Sequence, residues 1–156
     1  MRKRIINTVQ QETAAPELEW LDIESLAEVE ISSEDAAHPI EFALQPEGDG
    51  WRAAGPGKQT IRLKFDRPQK IQRIRVDFEE PVAERTQEFV LRWSPDGGHT
   101  YHDIVRQQWN FSPQVAARET EDIHVDLPAV TALELSIIPD ISGGNAIATL
   151  EHYRIA

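Results

Sequence analysis

The sequence predicts an all-β fold in which antiparallel strands form a sandwich or a barrel. Apolar and charged residues alternate with a period of two along several short segments, so each strand has one face for a core and one for solvent. Prolines and the pair Asp96-Gly97 separate these segments, and both are typical of turns. A chain of 156 residues has the length of one domain, so these segments are expected to share one core.

The first elements follow a start with little pattern. Residues 1–16 lack apolar periodicity and are predicted to be a flexible arm, which leaves residues 17–156 as a single domain. Over residues 17–28, leucines near helical spacing follow Pro16 and predict a short helical or extended segment. Residues 27–31 then alternate apolar side chains with glutamates, which predicts the first strand.

The later strands and their connections define two ends of the fold. Further strands are predicted at residues 61–65, 74–78, 89–93, 123–127, 133–137 and 147–155. Short turns are predicted at residues 66–69, 94–98 and 127–130, and long connections at residues 45–60, 79–87, 106–120 and 139–146. Because successive antiparallel strands reverse direction, the long connections are expected to share one end. We expect the binding surface at this loop end, since functional residues favour loops on a rigid scaffold.

Composition restricts the classes of function. The chain has 27 acidic and 16 basic residues, a net charge of −11, so phosphate groups are repelled and neither nucleic acid nor an anionic membrane is expected as a partner. The absence of cysteine excludes disulfides, a thiol nucleophile and cysteine-bound zinc. No segment has the ~20 apolar residues that cross a membrane. The basic residues 2–4 are not followed by the apolar region of a signal peptide, which favours a cytoplasmic protein.

Three motifs follow one another in a recognisable order. The first is the sequence GWRA at residues 50–53, which precedes a strand at residues 59–63. The second, at residues 89–101, is a strand followed by a Ser-x-Asp-Gly turn and an aromatic residue at the start of the next strand. The third is a closing pair of strands within residues 133–155. In this order they resemble the discoidin-like (coagulation-factor type C) domain of the galactose-binding-like superfamily over residues 27–156. The resemblance implies an antiparallel jelly-roll β-sandwich, in a superfamily whose members bind sugars, lipid head groups or proteins.

Residues 104–113 carry the residue types that recognise sugars. An aromatic face contacts the C–H groups of a sugar ring, and amide or guanidinium groups hydrogen-bond to its hydroxyls. The candidates are Arg106, Gln108, Trp109, Asn110 and Phe111. The tryptophan is predicted to stack on the ligand, and the arginine and the two amides to donate hydrogen bonds. As an alternative, the two aromatic residues cap the open end of the core.

Two other long connections supply further candidates. Trp51 is either a second wall of the ligand site or an anchor of its loop in the core, and Arg52 and Arg85 offer planar donors. Basic residues on these loops would form a cluster for an anionic ligand, unless they pair with nearby glutamates, which is the favoured interpretation. The basic residues are Arg52, Lys58, Arg85, Arg106 and Arg118, and the glutamates are Glu79, Glu80, Glu84 and Glu119.

A structural calcium ion is implied only by the resemblance. In the family, backbone carbonyls and one C-terminal carboxylate often hold a structural calcium ion. Glu151 matches this carboxylate, and Asp49 is a second candidate from the loop before Trp51. Calcium requires six to eight oxygen ligands, and the sequence has no concentrated ligand loop. The sequence therefore leaves open whether the protein binds calcium, and predicts no other cofactor.

Together these observations predict a non-catalytic binding module whose ligand is a carbohydrate or another small polar molecule. An enzyme is not expected, because the sequence contains no nucleophile elbow, phosphate loop or metalloprotease helix. The alternative function is an intracellular protein–protein interaction adaptor that uses the same loop end, with a tryptophan and arginines as its hot spot.

Overall fold

The computed structural model of the protein describes residues 19–156, so the predicted arm at residues 1–16 lies outside the described residues. The described part contains eight strands and two helices of one turn each. They are α1 (Ile23–Leu26), β1 (Ala27–Ile31), α2 (Glu41–Leu44), β2 (Trp51–Pro56), β3 (Gln59–Glu79), β4 (Arg85–Ser94), β5 (His102–Phe111), β6 (Arg118–Ile138), β7 (Ile147–Leu150) and β8 (His152–Ile155). Within residues 19–156, no helix combines the length and the apolar character needed to cross a membrane.

Antiparallel pairing builds two facing layers. The first layer has the strand order β1–β3–β6–β4–β5, and β8 pairs with the second half of β3. β2 and β7 form a separate two-stranded ribbon. Only the first half of β3 and the second half of β6 belong to the first layer, because the second half of β3 pairs with the first half of β6 and with β8 to form the opposite layer. The two layers contact each other through Phe78 in the second half of β3 and Phe89 on β4, whose ring centroids are 5.2 Å apart. The predicted all-β jelly-roll sandwich is therefore confirmed.

Two of the predicted turns are wrong. Residues 66–69 and 127–130 remain inside β3 and β6, which pair with each other across both segments. The pairing of β3 with β6 continues through both segments with shifts in register, and Gln69 lies opposite Val130. Pro68 and Pro128 cannot donate to the ladder, and at bulges and edges this loss is tolerated.

The β3–β6 ribbon nevertheless folds back on itself at these segments. The start of β6 pairs with the end of β3, where Arg118 lies opposite Glu79. The residue after the end of β6, Pro139, accepts a hydrogen bond from Arg85, which also contacts Glu80 just beyond β3. Both ends of β6 therefore lie at the same end of the sandwich, and the middle of the ribbon crosses from one layer to the other at the opposite end.

Alternating charges cover the outer face of the first layer. A row of residues in register across five strands alternates in sign: Glu30, Arg62, Glu134, Arg92 and Asp103. Arg62 Nε donates to Glu134 Oε2 over 2.8 Å, and Arg92 lies 3.0 Å from Asp103. Each opposite-charge pair contributes about 0.2–1 kcal/mol, so the row stabilises the sheet modestly while keeping its outer face polar.

Two connections are shorter than the sequence predicts. β5 continues to Phe111, so the loop predicted at residues 106–120 contains only residues 112–117. β2 occupies much of the connection predicted at residues 45–60. The predicted segment at residues 17–28 is represented in the described residues by α1, a single turn before β1.

We predict that the two phenylalanines between the layers are coupled in stability. Phe78→Ala or Phe89→Ala should each lower the free energy of unfolding by about 3–5 kcal/mol, because each removes a fully buried ring. A double-mutant cycle in urea should show a further coupling of about 0.5–1.5 kcal/mol from the ring–ring contact. Val115→Ala is the control, since Val115 is 88% exposed and should change stability by less than about 0.5 kcal/mol. Additive effects of the two ring deletions would contradict the facing-layer arrangement.

Candidate ligand-binding site

Three loops meet at one end of the sandwich. They are residues 80–84, 112–117 and 139–146. The Glu80 N–H donates to the Ala117 carbonyl over 2.7 Å, which joins the first two loops. The Ile141 N–H donates to the Thr86 carbonyl over 2.9 Å, which joins the third loop to the start of β4. We call this the loop end.

The Arg85 side chain lies at the centre of the loop end and is only 1% exposed. Its Nε donates to Glu80 Oε1 over 2.7 Å, and its Nη1 donates to the Pro139 carbonyl over 2.7 Å and to Gln87 over 3.2 Å. Its guanidinium also lies 4.7 Å from the centre of the Phe111 ring. A buried guanidinium requires such partners, because burial removes its hydration. Its Nη2 is buried with no hydrogen-bond partner among the described residues.

A cleft of about 400 Å³ opens beside Arg85. We call it the loop-end cleft, and it is lined by Glu84, Arg85, Thr86, Asn110, Phe111, Ser112, Asp140 and Ser142. Water occupies about 30 Å³ per molecule in the liquid, so the space is large enough for a sugar ring. Hydroxyl, amide and carboxylate groups dominate the lining, and these groups can hydrogen-bond to a polyol from several directions.

Hydrogen bonds fix the polar groups of the cleft. The Thr86 hydroxyl donates to the side-chain oxygen Oδ1 of Asn110, which leaves the side-chain nitrogen Nδ2 as a donor that contacts no described acceptor. The Ser142 hydroxyl donates to Asp140 Oδ1 over 2.7 Å, and the Ser142 N–H to the same atom over 3.1 Å. These hydrogen bonds hold the pKa of Asp140 below its usual range, so Asp140 is ionised at neutral pH.

Not all the predicted ligand residues reach this cleft. Arg106 and Gln108 lie on the outer face of β5, where Arg106 pairs with Glu88 and Gln108 Nε2 donates to Glu88 Oε2 over 2.9 Å. Trp109 points to the opposite face of the strand and packs against the core, with its Nε1 buried. Among the residues predicted in this segment, the structure brings Asn110 and Phe111 to the cleft and leaves the other three away from it.

The rings of two residues that the sequence offers either as ligand contacts or as core residues are buried. Trp51 is 1% exposed and its Nε1 donates to the Ser33 carbonyl over 3.0 Å, so it anchors its loop in the core. Phe111 is 2% exposed and lies beneath Arg85. Neither ring can stack on a ligand. The exposed apolar side chains near the loop end are aliphatic: Val82, Val115 and Ile141.

The arginine pairing that the sequence favours is present. Arg85 pairs with Glu80 and Arg118 with Glu79, at 2.7 and 3.4 Å. The third pair, between Arg106 and Glu88, uses an acceptor from β4. An unpaired basic cluster for an anionic ligand is therefore not formed by these three arginines.

A second cleft, of about 230 Å³, contains both predicted calcium ligands. Asp49 and Glu151 line it together with Glu79 and Arg52, and Gly50 turns the loop towards β7 with a positive φ of 94°. Burial, together with the neighbouring Glu79 carboxylate, raises the pKa of Glu151. However, residues 19–156 contain no group of three or more histidine, aspartate or glutamate side chains that could hold a metal ion. Backbone carbonyls can also supply calcium ligands, so a calcium site at Glu151 stays a prediction.

Several polar residues around Arg85 are absent from the site predicted from the sequence. Gln87 and Glu119 lie beside it, with Gln87 Nε2 donating to Glu119 Oε1 over 3.4 Å. Burial, reinforced by the neighbouring Glu121, raises the pKa of Glu119 to about 8, so this group is protonated at neutral pH. Asp140 could have been predicted, because Asp140-Ile141-Ser142 is a sequence typical of an Asx turn. No pattern marks Glu119, which is distinguished only by tertiary burial.

Comparisons with known proteins agree with the architecture. The model of the F5/8 type C domain matches residues 28–152. No curated protein sequence matches the chain. A pectin-binding carbohydrate-binding module is similar in structure with a TM-score of 0.59 and 18% identity, over 83% of this chain and 89% of that one.

Two modules from Clostridium perfringens are also similar. The family 32 module of NanJ, solved with galactose, has a TM-score of 0.64 and 10% identity over 87% of this chain and 96% of that one. The CpGH89CBM32-5 module, solved with GalNAc-β-1,3-galactose, has a TM-score of 0.62 and 16% identity over 88% and 99% of the two chains. At these identities the likeness concerns the fold.

We predict that Glu119 makes stability depend on pH. Its folded-state pKa of about 8 lies above the 4.5 of an ordinary glutamate, so the folded protein keeps a proton that the unfolded chain releases. Stability should therefore fall as pH rises from about 4.5 to about 8. Glu119→Gln, which cannot ionise, should flatten this dependence in urea unfolding at pH 5, 7 and 9. The exposed Glu28→Gln is the matched control, and an unchanged pH slope in Glu119→Gln would contradict the assignment.

Proposed function

The chain belongs to the F5/8 type C domain family, and we propose that it is a non-catalytic module that binds carbohydrate in the loop-end cleft. The observation that carries the proposal is the cleft itself, whose hydroxyl, amide and carboxylate groups lie above a buried arginine. Carbohydrate-binding modules with the same fold, including the pectin-binding module and the NanJ module with galactose, support it.

Hydrogen bonds would supply most of the recognition. The Asn110 amide nitrogen and the Ser112 and Ser142 hydroxyls can bond to sugar hydroxyls. Because the rings of Trp51 and Phe111 are buried, aliphatic side chains would have to contact the sugar C–H groups. Without a stacking platform, we expect weak affinity, with a Kd on the order of 1 mM for a single sugar unit.

The proposed role is binding without catalysis. A Ruminococcus gnavus fucosidase shares the fold over only 25% of its chain, and a truncated AlyQ described as having CBM32 and alginate lyase domains shares it over 31%. In such chains the region similar to this protein is a minor part of a longer enzyme. The proposal assigns no role in binding to a metal ion. Binding should therefore persist in a chelator.

A second candidate function, docking of a protein partner at the loop end, is favoured by one observation. Val82 and Val115 are 84% and 88% exposed, and Ile141 is 48% exposed, each on a different loop of that end. Exposed aliphatic side chains at one end of a fold are the kind of apolar surface that a protein partner buries. A partner that binds the wild type but not a Val82→Ser, Val115→Ser variant would favour docking over sugar binding.

We predict that binding depends on Asn110. After a glycan array identifies a sugar, Asn110→Ala should weaken its binding about three- to tenfold in calorimetric titration, the effect of losing one hydrogen bond. Gln108→Ala is the matched control, because this amide lies two residues away on the outer face and contacts Glu88 instead. We expect Gln108→Ala to bind like the wild type.

Two outcomes would contradict the proposal. One is a blank array from protein that melts cooperatively, which would leave protein docking as the remaining candidate. The other is loss of binding in Gln108→Ala with no loss in Asn110→Ala, which would move the site along the outer face of β5, away from the loop end.

A further inference from the structure

A continuous chain of hydrogen-bonded side chains crosses the base of the loop end. Arg85 Nη1 donates to Gln87 Oε1 over 3.2 Å, and Gln87 Nε2 donates to Glu119 Oε1 over 3.4 Å. Glu119 is in turn hydrogen-bonded to the side chain of Glu121. At the other end of the chain, Arg85 pairs with Glu80 at 2.7 Å. The chain therefore joins β4 and the start of β6 to the loop that follows β3.

One proton on Glu119 completes this chain. Glu119 is 2% exposed, and its Oε2 is buried without accepting a hydrogen bond from the described residues. When Oε2 carries a proton, it can donate to the Glu121 carboxylate. When the proton leaves, a buried carboxylate faces a second carboxylate, so burial and the Glu121 charge together raise the pKa of Glu119 to about 8.

The other charges near Glu119 do not remove this conflict. Glu121 faces it from β6 and opposes its ionisation, whereas Arg85 on β4 favours ionisation. The Arg85 charge is already used by Glu80, and it also acts on Asp140 in the loop after β6. The strands β3 and β5 present to this part of the core aromatic side chains that carry no charge at any pH: Phe78, Trp109 and Phe111.

Glu119 lies at a place where the fold can open locally. It is the second residue of β6, and the Ala117 carbonyl just before this strand accepts a hydrogen bond from the Glu80 N–H over 2.7 Å. The first residue of β6, Arg118, pairs with Glu79 at 3.4 Å between partly exposed side chains, and such pairs contribute little. Local openings at strand ends cost less than global unfolding. Detachment of this strand end would bring Glu119 into water while the core stays folded.

We propose that the start of β6 detaches locally from the loop of residues 80–84, and that this opening is coupled to release of the Glu119 proton. Rising pH then loosens the loop-end cleft, because the loop before β6 carries Ser112 into the lining of the cleft. The consequence for ligand binding rests on the proposed carbohydrate-binding function, whereas the opening itself is measured without a ligand.

Amide hydrogen exchange of the ligand-free protein, followed by NMR, tests the opening. The reporter is the Glu80 N–H, whose acceptor is the Ala117 carbonyl. The closed form keeps the Glu119 proton up to about pH 8, and the open form releases it above about pH 4.5, the value of an ordinary glutamate. Opening therefore releases one proton between these limits. The protection factor of Glu80 should fall about tenfold per pH unit from about pH 5 to about pH 8 and then level off.

Urea separates a local opening from global unfolding. The reference is the amide of Leu135, which pairs with β3 on one side and with β4 on the other at the centre of the first layer. In urea below the unfolding transition, exchange at Leu135 should accelerate, because it requires exposure of the core. Exchange at Glu80 should hardly change, because a local opening exposes little surface.

Variants assign the proton to Glu119. Glu119→Gln keeps a donor and an acceptor at this position but has no proton to release, so protection of Glu80 should not depend on pH. Glu121→Gln removes the charge that opposes ionisation, so the fall in protection should level off at a lower pH than in the wild type. The matched control is Asp126→Asn, which removes an exposed carboxylate from the same strand and should reproduce the wild-type dependence.

Three results would overturn this inference. They are protection of Glu80 that does not depend on pH, a dependence that persists in Glu119→Gln, and the same urea dependence at Glu80 and Leu135, which would mean that Glu119 reaches water only by global unfolding. The proposed function is tested separately by the glycan array and by Asn110→Ala. A blank array beside the expected exchange pattern would overturn the proposed function and leave the opening in place.

Discussion

The loop end depends on the burial of one guanidinium. Arg85 is the first residue of β4, and its partners come from the residue after β3, from β4 itself and from the residue after β6. A buried charge is tolerated only when it is paired and hydrogen-bonded, so this side chain fixes three segments relative to one another. Removing one partner of a buried ion pair lowers the free energy of unfolding by about 3–5 kcal/mol, so the relative positions of these three segments are strongly specified. The loop-end cleft lies beside Arg85, and its geometry follows from this network.

Charge is distributed differently on the two candidate surfaces. Across the outer face of the first layer, each charge in the row from Glu30 to Asp103 lies opposite a charge of the other sign. The charges of this face pair with one another, and a smaller pocket of about 90 Å³ lies on it among residues of β4, β5 and β6. In the loop-end cleft, by contrast, Glu84 and Asp140 lie beside Arg85, which pairs with Glu80 and also lowers the pKa of Asp140. This cleft is the larger of the two, and hydroxyl and amide groups line it together with the charged groups.

The fold could be predicted because period-two alternation reports burial directly, as along residues 61–65 and 133–137, which lie in β3 and β6. The bends at residues 66–69 and 127–130 were misread as turns because proline and polar residues suit a strand that crosses between layers as well as they suit a turn. The extension of β5 was missed although its signal was present, since Gln107, Trp109 and Phe111 alternate with Arg106, Gln108 and Asn110. The same alternation determines which of these side chains reach the core. The partners of Arg85 come from distant parts of the chain, and no local pattern reveals them.

The most direct test of the loop-end cleft as the binding site is an amide chemical-shift titration of the isotope-labelled protein with a sugar that it binds. We predict that the largest changes in chemical shift fall on the backbone amides of four residues that line the cleft from three segments: Thr86, Asn110, Ser112 and Ser142. The amide signals of residues on the outer face of the first layer, such as Arg92 and Glu134, should keep their chemical shifts. Perturbations concentrated on that outer face, or around Arg52 in the second cleft, would contradict the central claim.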